Sequence, residues 1–153
     1  MAIHNSISSM LQESLHEMLL VSKYCIEYRK NPKIWGCYGC YGYPAAILLL
    51  AITDAIGSHV IGGSCVRKHF DILKDYRYYN LALTKRQIDD IYKEYRCLLT
   101  HNAILGANAF LGIGSQESPI LEYKDQKTYI NLFPFFLLTN RVVARFLKKE
   151  KVK

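Results

Sequence analysis

Acidic side chains are scarce in this 153-residue chain: 13 Asp and Glu stand against 20 Lys and Arg, a net charge of +7. That balance favours phosphate-rich partners such as RNA, DNA or nucleotides, through steering and counterion release. Long apolar runs are missing too. The longest, Tyr43 to Ile56, is interrupted by Asp54 and falls short of the roughly 20 apolar residues that cross a bilayer. It reads as a buried helix, and no membrane partner is expected. No internal repeat and no low-complexity tract is present, which argues against a solenoid or a disordered segment. No secretory leader is read at the N-terminus. With an odd number of cysteines, five, this predicts free thiols in a reducing, cytoplasmic setting.

Several chemistries lack their motifs. Gly112-Ile113-Gly114-Ser115 is not the Gly-x-Ser-x-Gly elbow of a nucleophilic serine. Gly106 to Gly114 carries neither the lysine nor the following helix of a phosphate-binding loop. Cys37-Tyr38-Gly39-Cys40 has the spacing of half a zinc site or of a redox pair. No second such pair follows, and His59, Cys65 and His69 could join it only through folding. An aromatic, thiol-bearing loop is the expectation, with no metal and no cofactor.

What is present is a core. Half of the residues are apolar (50%), enough for one domain spanning 1–153 without disulfide or metal staples; residues 148–153 read as a basic C-terminal tail. Ile7, Met10, Leu11, Leu15, Met18, Leu19, Ser22, Cys25 and Ile26 fall on one helical stripe between Ser6 and Lys30. Ser6 or Ser8 can cap its start, and Asn31-Pro32 ends it. After a loop from Asn31 to Tyr43, Pro44 opens a helix to Ile56, which Gly57 and then Gly62-Gly63 break. Ser64 can cap a third helix, Cys65 to about Tyr79, with Val66, His69, Phe70 and Leu73 on its apolar face.

Thr84 with Gln87 three positions later forms a capping box for a fourth helix. It carries Ile88, Ile91, Tyr92, Tyr95, Leu98 and Leu99 on its apolar side. Residues 120–123 and 128–132 flank Lys124-Asp125-Gln126-Lys127 as a small hairpin, and Pro134 opens a last helix to about Lys149. The expected class is all-α in the main: an up-and-down bundle of about five helices with a β-hairpin insertion near 120–132.

The fourth helix ends in Tyr95-Arg96-Cys97-Leu98-Leu99-Thr100-His101-Asn102. An arginine, four residues and a histidine on a helix of a small bundle resembles the HEPN superfamily. A long first helix and a Pro-led apolar helix ahead of the motif are similar to that family's order, over roughly two thirds of the chain. The resemblance implies metal-independent RNA cleavage, in which a ribose 2′-hydroxyl attacks the adjacent phosphate in a cleft between two subunits. In those roles Arg96 clamps the phosphate through its charged fork. His101 acts as acid and base, the proton-carrying role an imidazole can take.

The resemblance further implies a homodimer, a toxin or defence role, and an antitoxin or nucleotidyltransferase partner. Active relatives usually carry a polar residue directly after the arginine. Here it is Cys97, a small hydrophobe, and Asn102 could supply polar support instead. On a straight helix the two motif side chains stand about 140° apart, so convergence needs a bend or a second subunit.

Asp54 reads in two ways: an orienting partner for Arg96 or His101, or a helix-end carboxylate that is wet or bonded to Ser58. Tyr38, Tyr41, Tyr43, Tyr76, Tyr78 and Tyr79 could stack on bases beside Lys33, Arg67, Lys68 and Arg77. Core edges and interfaces also take tyrosine. Three functions remain open on sequence: an endoribonuclease, a non-catalytic RNA-, nucleotide- or protein-binding module in which Arg96 and His101 are structural, and a small-ligand or nucleotide-binding protein using loop 31–43.

Overall fold

The computed structural model describes residues 6–150, with side chains through Lys149. Lys148 and Lys149 are exposed on the last helix, and the rest of the expected basic tail lies outside the described side chains.

Helix α1 spans Ile7–Glu27, and Ser6 caps it by accepting from the Ser9 amide. Its buried residues, Leu15, Leu19, Ser22, Cys25 and Ile26, belong to the stripe read from sequence, while Ile7 and Met10 are exposed. The chain turns extended at Tyr28, and Asn31 caps a single turn of helix, α2, Pro32–Trp35. Gly36, left-handed at φ 67°, closes it.

Helix α3, Gly42–Val60, runs past the expected stop at Ile56 and straight through Gly57. The reason is packing. Gly57 is fully buried, and a Cβ there would collide with the backbone carbonyl of His69. The missing side chain is what lets the next element lie against α3. By length and apolar content α3 could cross a membrane. In this fold it is the helix against which α1, α7 and the segment after Cys65 pack.

The helix expected from Cys65 to Tyr79 is much shorter. Cys65, not Ser64, is the cap of α4, Val66–His69, which tightens into a 3₁₀ turn over Phe70–Lys74. Asp75 ends it. Its carboxylate accepts from the Arg77 amide at 2.8 Å and from the Arg77 guanidinium, an Asx turn that competes with helical hydrogen bonding. Arg67 ties α4 onward, pairing with Asp71 at 3.2 Å and with Asp89 of the following helix.

The capping box forms as expected. The Gln87 amide donates to Thr84 Oγ1 at 3.2 Å, and Gln87 Oε1 accepts from the Thr84 amide at 2.8 Å. From there α5, Lys85–Asp90, widens into a π-helical segment, Ile91–Cys97, and returns to α-helix as α6, Leu98–Asn102. Ala103, left-handed at φ 56°, ends the stretch.

Strands β2, Leu121–Lys124, and β3, Lys127–Asn131, form the expected antiparallel hairpin. Its two turn residues, Asp125 and Gln126, have φ of 51° and 61°, as a twist-matched two-residue turn requires. Unforeseen was β1, Ala109–Gly112, which pairs parallel to β3 and completes a sheet of order β1-β3-β2. Helix α7, Leu132–Glu150, starts two residues before Pro134, which sits in the first turn where its missing amide is harmless. The protein is thus mostly helical with a small three-stranded sheet. Helices α1, α3 and α7 pack on one another, and α4 with its 3₁₀ turn packs against α3.

Candidate functional site

Asp54, on α3, holds one residue from each of two other elements. Arg96 Nη2 donates to Asp54 Oδ2 at 3.1 Å, and His69 Nδ1 lies 2.8 Å from Asp54 Oδ1. The other ring nitrogen, His69 Nε2, is 2.9 Å from the Gly63 carbonyl. Both partners of the imidazole can only accept, so a ring bearing protons on both nitrogens satisfies both contacts. Burial of His69 (6% exposed) works against that charge; the Gly63 carbonyl and the Asp54 carboxylate outweigh it, and the His69 pKa is raised above its usual 6.5. One carboxylate therefore lies between the Arg96 guanidinium and the His69 imidazole.

The local sequence builds this cluster in three ways. Gly57, one turn beyond Asp54, lets the His69 backbone approach α3. Gly63, left-handed at φ 83°, turns the chain so that its carbonyl meets the ring. The π-helical segment carries Arg96 on its last turn. In its wider i→i+5 turn, positions five apart come nearer to one face. Tyr92 and Cys97 are such a pair: their hydrogen bond, with burial, raises the Tyr92 pKa.

Asp54, His69 and Arg96 open onto a cavity of about 460 Å³, whose lining also includes Ser58, Thr100 and Ile47. Arg96 keeps 22% of its side chain exposed. Among the described residues its one side-chain hydrogen bond is the Nη2 contact, so Nε and Nη1 keep donors for a ligand. With the hydroxyls of Ser58 and Thr100 on the same lining, the cavity offers the donor chemistry that suits a phosphate oxygen.

Of the residues singled out from sequence, Arg96 and Asp54 are brought together. His101 is not. It is exposed at the end of α6, does not line this cavity, and makes no side-chain hydrogen bond among the described residues. Asn102 beside it is exposed as well. Tyr95 is fully buried: its hydroxyl donates to the Thr128 carbonyl at 2.6 Å and accepts from the Phe110 amide at 3.2 Å, tying the π segment to β1 and β3. Burial raises its pKa, and its place is structural.

Sequence reading missed His69, which stood there as part of an apolar face. Its signal was present in Gly57 and Gly62-Gly63, read only as breakers. Asp54 does not bond Ser58; its partners are Arg96 and His69. Cys37 is exposed and Cys40 buried, and among the described residues no three His, Cys, Asp or Glu side chains gather as metal ligands. The tyrosines divide. Tyr79 is core, its hydroxyl 3.0 Å from Thr53 Oγ1 and its pKa pushed up to about 12 by burial. Tyr78 is buried, and Tyr41 stacks on Tyr28 with centroids 4.4 Å apart. Tyr38, Tyr43 and Tyr76 are exposed.

The chain matches no protein-family model, no curated protein and no solved structure.

Proposed function

We propose that this chain is a HEPN-like RNA-binding protein, its helices laid out as an up-and-down bundle of about five, in which Arg96 grips an RNA phosphate. The observation that carries the reading is the half-committed guanidinium: Asp54 engages Nη2 and orients the fork, while Nε and Nη1 keep donors at an open cavity. A guanidinium held this way loses little freedom on meeting a phosphate, which lowers the entropic cost of binding. The net charge of +7 adds steering.

As a metal-independent endoribonuclease of toxin or defence type, the protein would use Arg96 to stabilise the pentacoordinate phosphate. The bond from the 2′-oxygen to phosphorus forms, the bond to the 5′-oxygen breaks, and His101 accepts or returns the proton. Within one copy, His101 does not share the Arg96 cavity. Cleavage in this reading belongs to a symmetric homodimer that apposes two motif copies. The same separation favours a second reading, a non-catalytic RNA-binding or interaction module.

Incubating the protein with mixed RNA in chelator, beside His101→Ala and Arg96→Lys, separates them. Cleavage by the unaltered protein that His101→Ala loses supports the endoribonuclease. Binding without cleavage, weakened by Arg96→Lys, supports the non-catalytic module. No RNA binding by the unaltered protein overturns both RNA readings and leaves the interaction module.

A further inference from the structure

The Arg96 cavity shares helix α3 with a second cavity. On α3, Tyr43, Ile47, Ala51, Asp54 and Ser58 recur at spacings of four or three, so they lie on one stripe. Ile47, Ala51, Asp54 and Ser58 line the Arg96 cavity, while Tyr43 lines a second cavity of about 520 Å³. The facing stretch repeats the pattern: Arg96 and Thr100 line the first cavity, Ile104 the second. At 1.5 Å per residue, Tyr43 and Asp54 are about 16 Å apart along α3.

The second cavity is aromatic and cationic. Lys30 and Tyr38 line it with Tyr43 and Phe110, and Tyr38 is 84% exposed. Beside it Lys30 lies over the Trp35 ring, 5.2 Å from the centroid, and Trp35 meets Tyr41 edge-on. Lys127 lies 5.3 Å from the Phe110 centroid. From Tyr28 to Tyr43 the chain holds Arg29, Lys30 and Lys33 and not one Asp or Glu. The single acid on the α3 stripe, Asp54, is already engaged by Arg96 and His69. Exposed flat rings and cations around a cavity whose lining includes no Asp or Glu suit unpaired bases and a phosphate backbone; a neutral or basic peptide would leave those cations unmatched.

The geometry points to a single groove for single-stranded RNA, with bases stacked on Tyr38 and Tyr43 at one end and a phosphate held by Arg96 at the other. This rests on the RNA reading above and specifies its substrate as unpaired and its contact as more than one nucleotide long.

Fluorescence anisotropy with a labelled single-stranded RNA and with the same RNA annealed to its complement tests it. Trp35, the only tryptophan, provides a quenching signal for bases arriving beside it. Both tyrosines are exposed, so Tyr38→Ala and Tyr43→Ala leave the fold intact, and thermal melting verifies this. Each is expected to weaken single-strand binding roughly 5- to 100-fold and to remove the preference over duplex. Arg96→Lys should weaken binding while leaving Trp35 quenching at saturation. If both tyrosine variants bind like the unaltered protein while Arg96→Lys does not, the groove is overturned and the phosphate site stands. If Arg96→Lys binds unchanged while the tyrosine variants fail, the Arg96 reading falls and the aromatic platform remains. Equal affinity for single strand and duplex overturns the groove.

Discussion

Arg96 and His101 stand five positions apart on one continuous helical stretch, yet their surroundings differ sharply. Arg96 lies against α3, bonded to Asp54 and connected through it to His69 and Gly63. His101 lies one turn on, exposed beside the left-handed Ala103 that ends the helix. A short motif sets which side chains share a helix. Which of them meets a neighbouring element depends on helical phase and on where that helix stops. Here the phase gives the arginine to the cluster and the histidine to solvent, and a histidine from elsewhere takes the inner place.

The widest gap between the two ends should follow from Gly57→Ala. A Cβ there meets the His69 backbone rather than a yielding side chain, and overpacking of this kind costs about 3 kcal/mol. Urea denaturation should show that loss, and a midpoint unchanged from the unaltered protein would contradict the close α3–α4 approach.

Next comes Asp54→Ala, which leaves Arg96 and His69 facing each other with no counter-charge. A fully buried pair broken this way loses several kcal/mol; with Asp54 and Arg96 each about one-fifth exposed, about 2 kcal/mol is expected. The corresponding change at the other end, His101→Ala, should serve as its contrast.

Alkali should loosen the same cluster by degrees. The folded protein holds the His69 proton more tightly than the unfolded chain, where the group titrates near 6.5. Its contribution is therefore complete below pH 6.5 and is lost as pH rises through the raised folded value. Denaturation series below and above that window, run beside His69→Gln, should show a decline in the unaltered protein that the variant lacks. Parallel curves would remove His69 from the account.

Tyr95→Phe probes the anchoring of the π segment to the sheet. It deletes the hydroxyl that donates to the Thr128 carbonyl and accepts from the Phe110 amide, for about 1 kcal/mol by thermal or urea unfolding. Smallest of all, His101→Ala should move stability by no more than about 0.5 kcal/mol. A larger loss would mean that His101 supports the fold after all, and would weaken its assignment as an acid-base group in RNA cleavage.

Much of the fold was legible locally. The α1 stripe, the Thr84–Gln87 capping box, the hairpin around Asp125-Gln126 and a proline-containing last helix all follow from period and turn chemistry. The errors have one cause: residues whose local preference lost to packing, or whose side chain joined in. Gly57 looked like a helix breaker and is a contact point. The apolar spacing after Cys65 promised a long helix, which Asp75 ended by bonding the Arg77 amide with its own carboxylate. Strand β1, Ala109–Gly112, is four residues of mixed size among glycines. It becomes a strand only because β3 offers it an edge.

By itself the sequence determined that this is a basic, core-forming, mainly helical chain carrying an arginine and a histidine on one helix, because periodicity, capping and charge are local properties. Only the tertiary structure decided that Arg96 would be paired with Asp54, that His69 and not His101 would join them, and that Tyr38 of the aromatic loop would line one cavity with Tyr43 of α3. Those are contacts between residues 42 positions apart in one case and 15 in another. They depend on how closely helices can approach, and at Gly57 that distance is set by the absence of a single side chain.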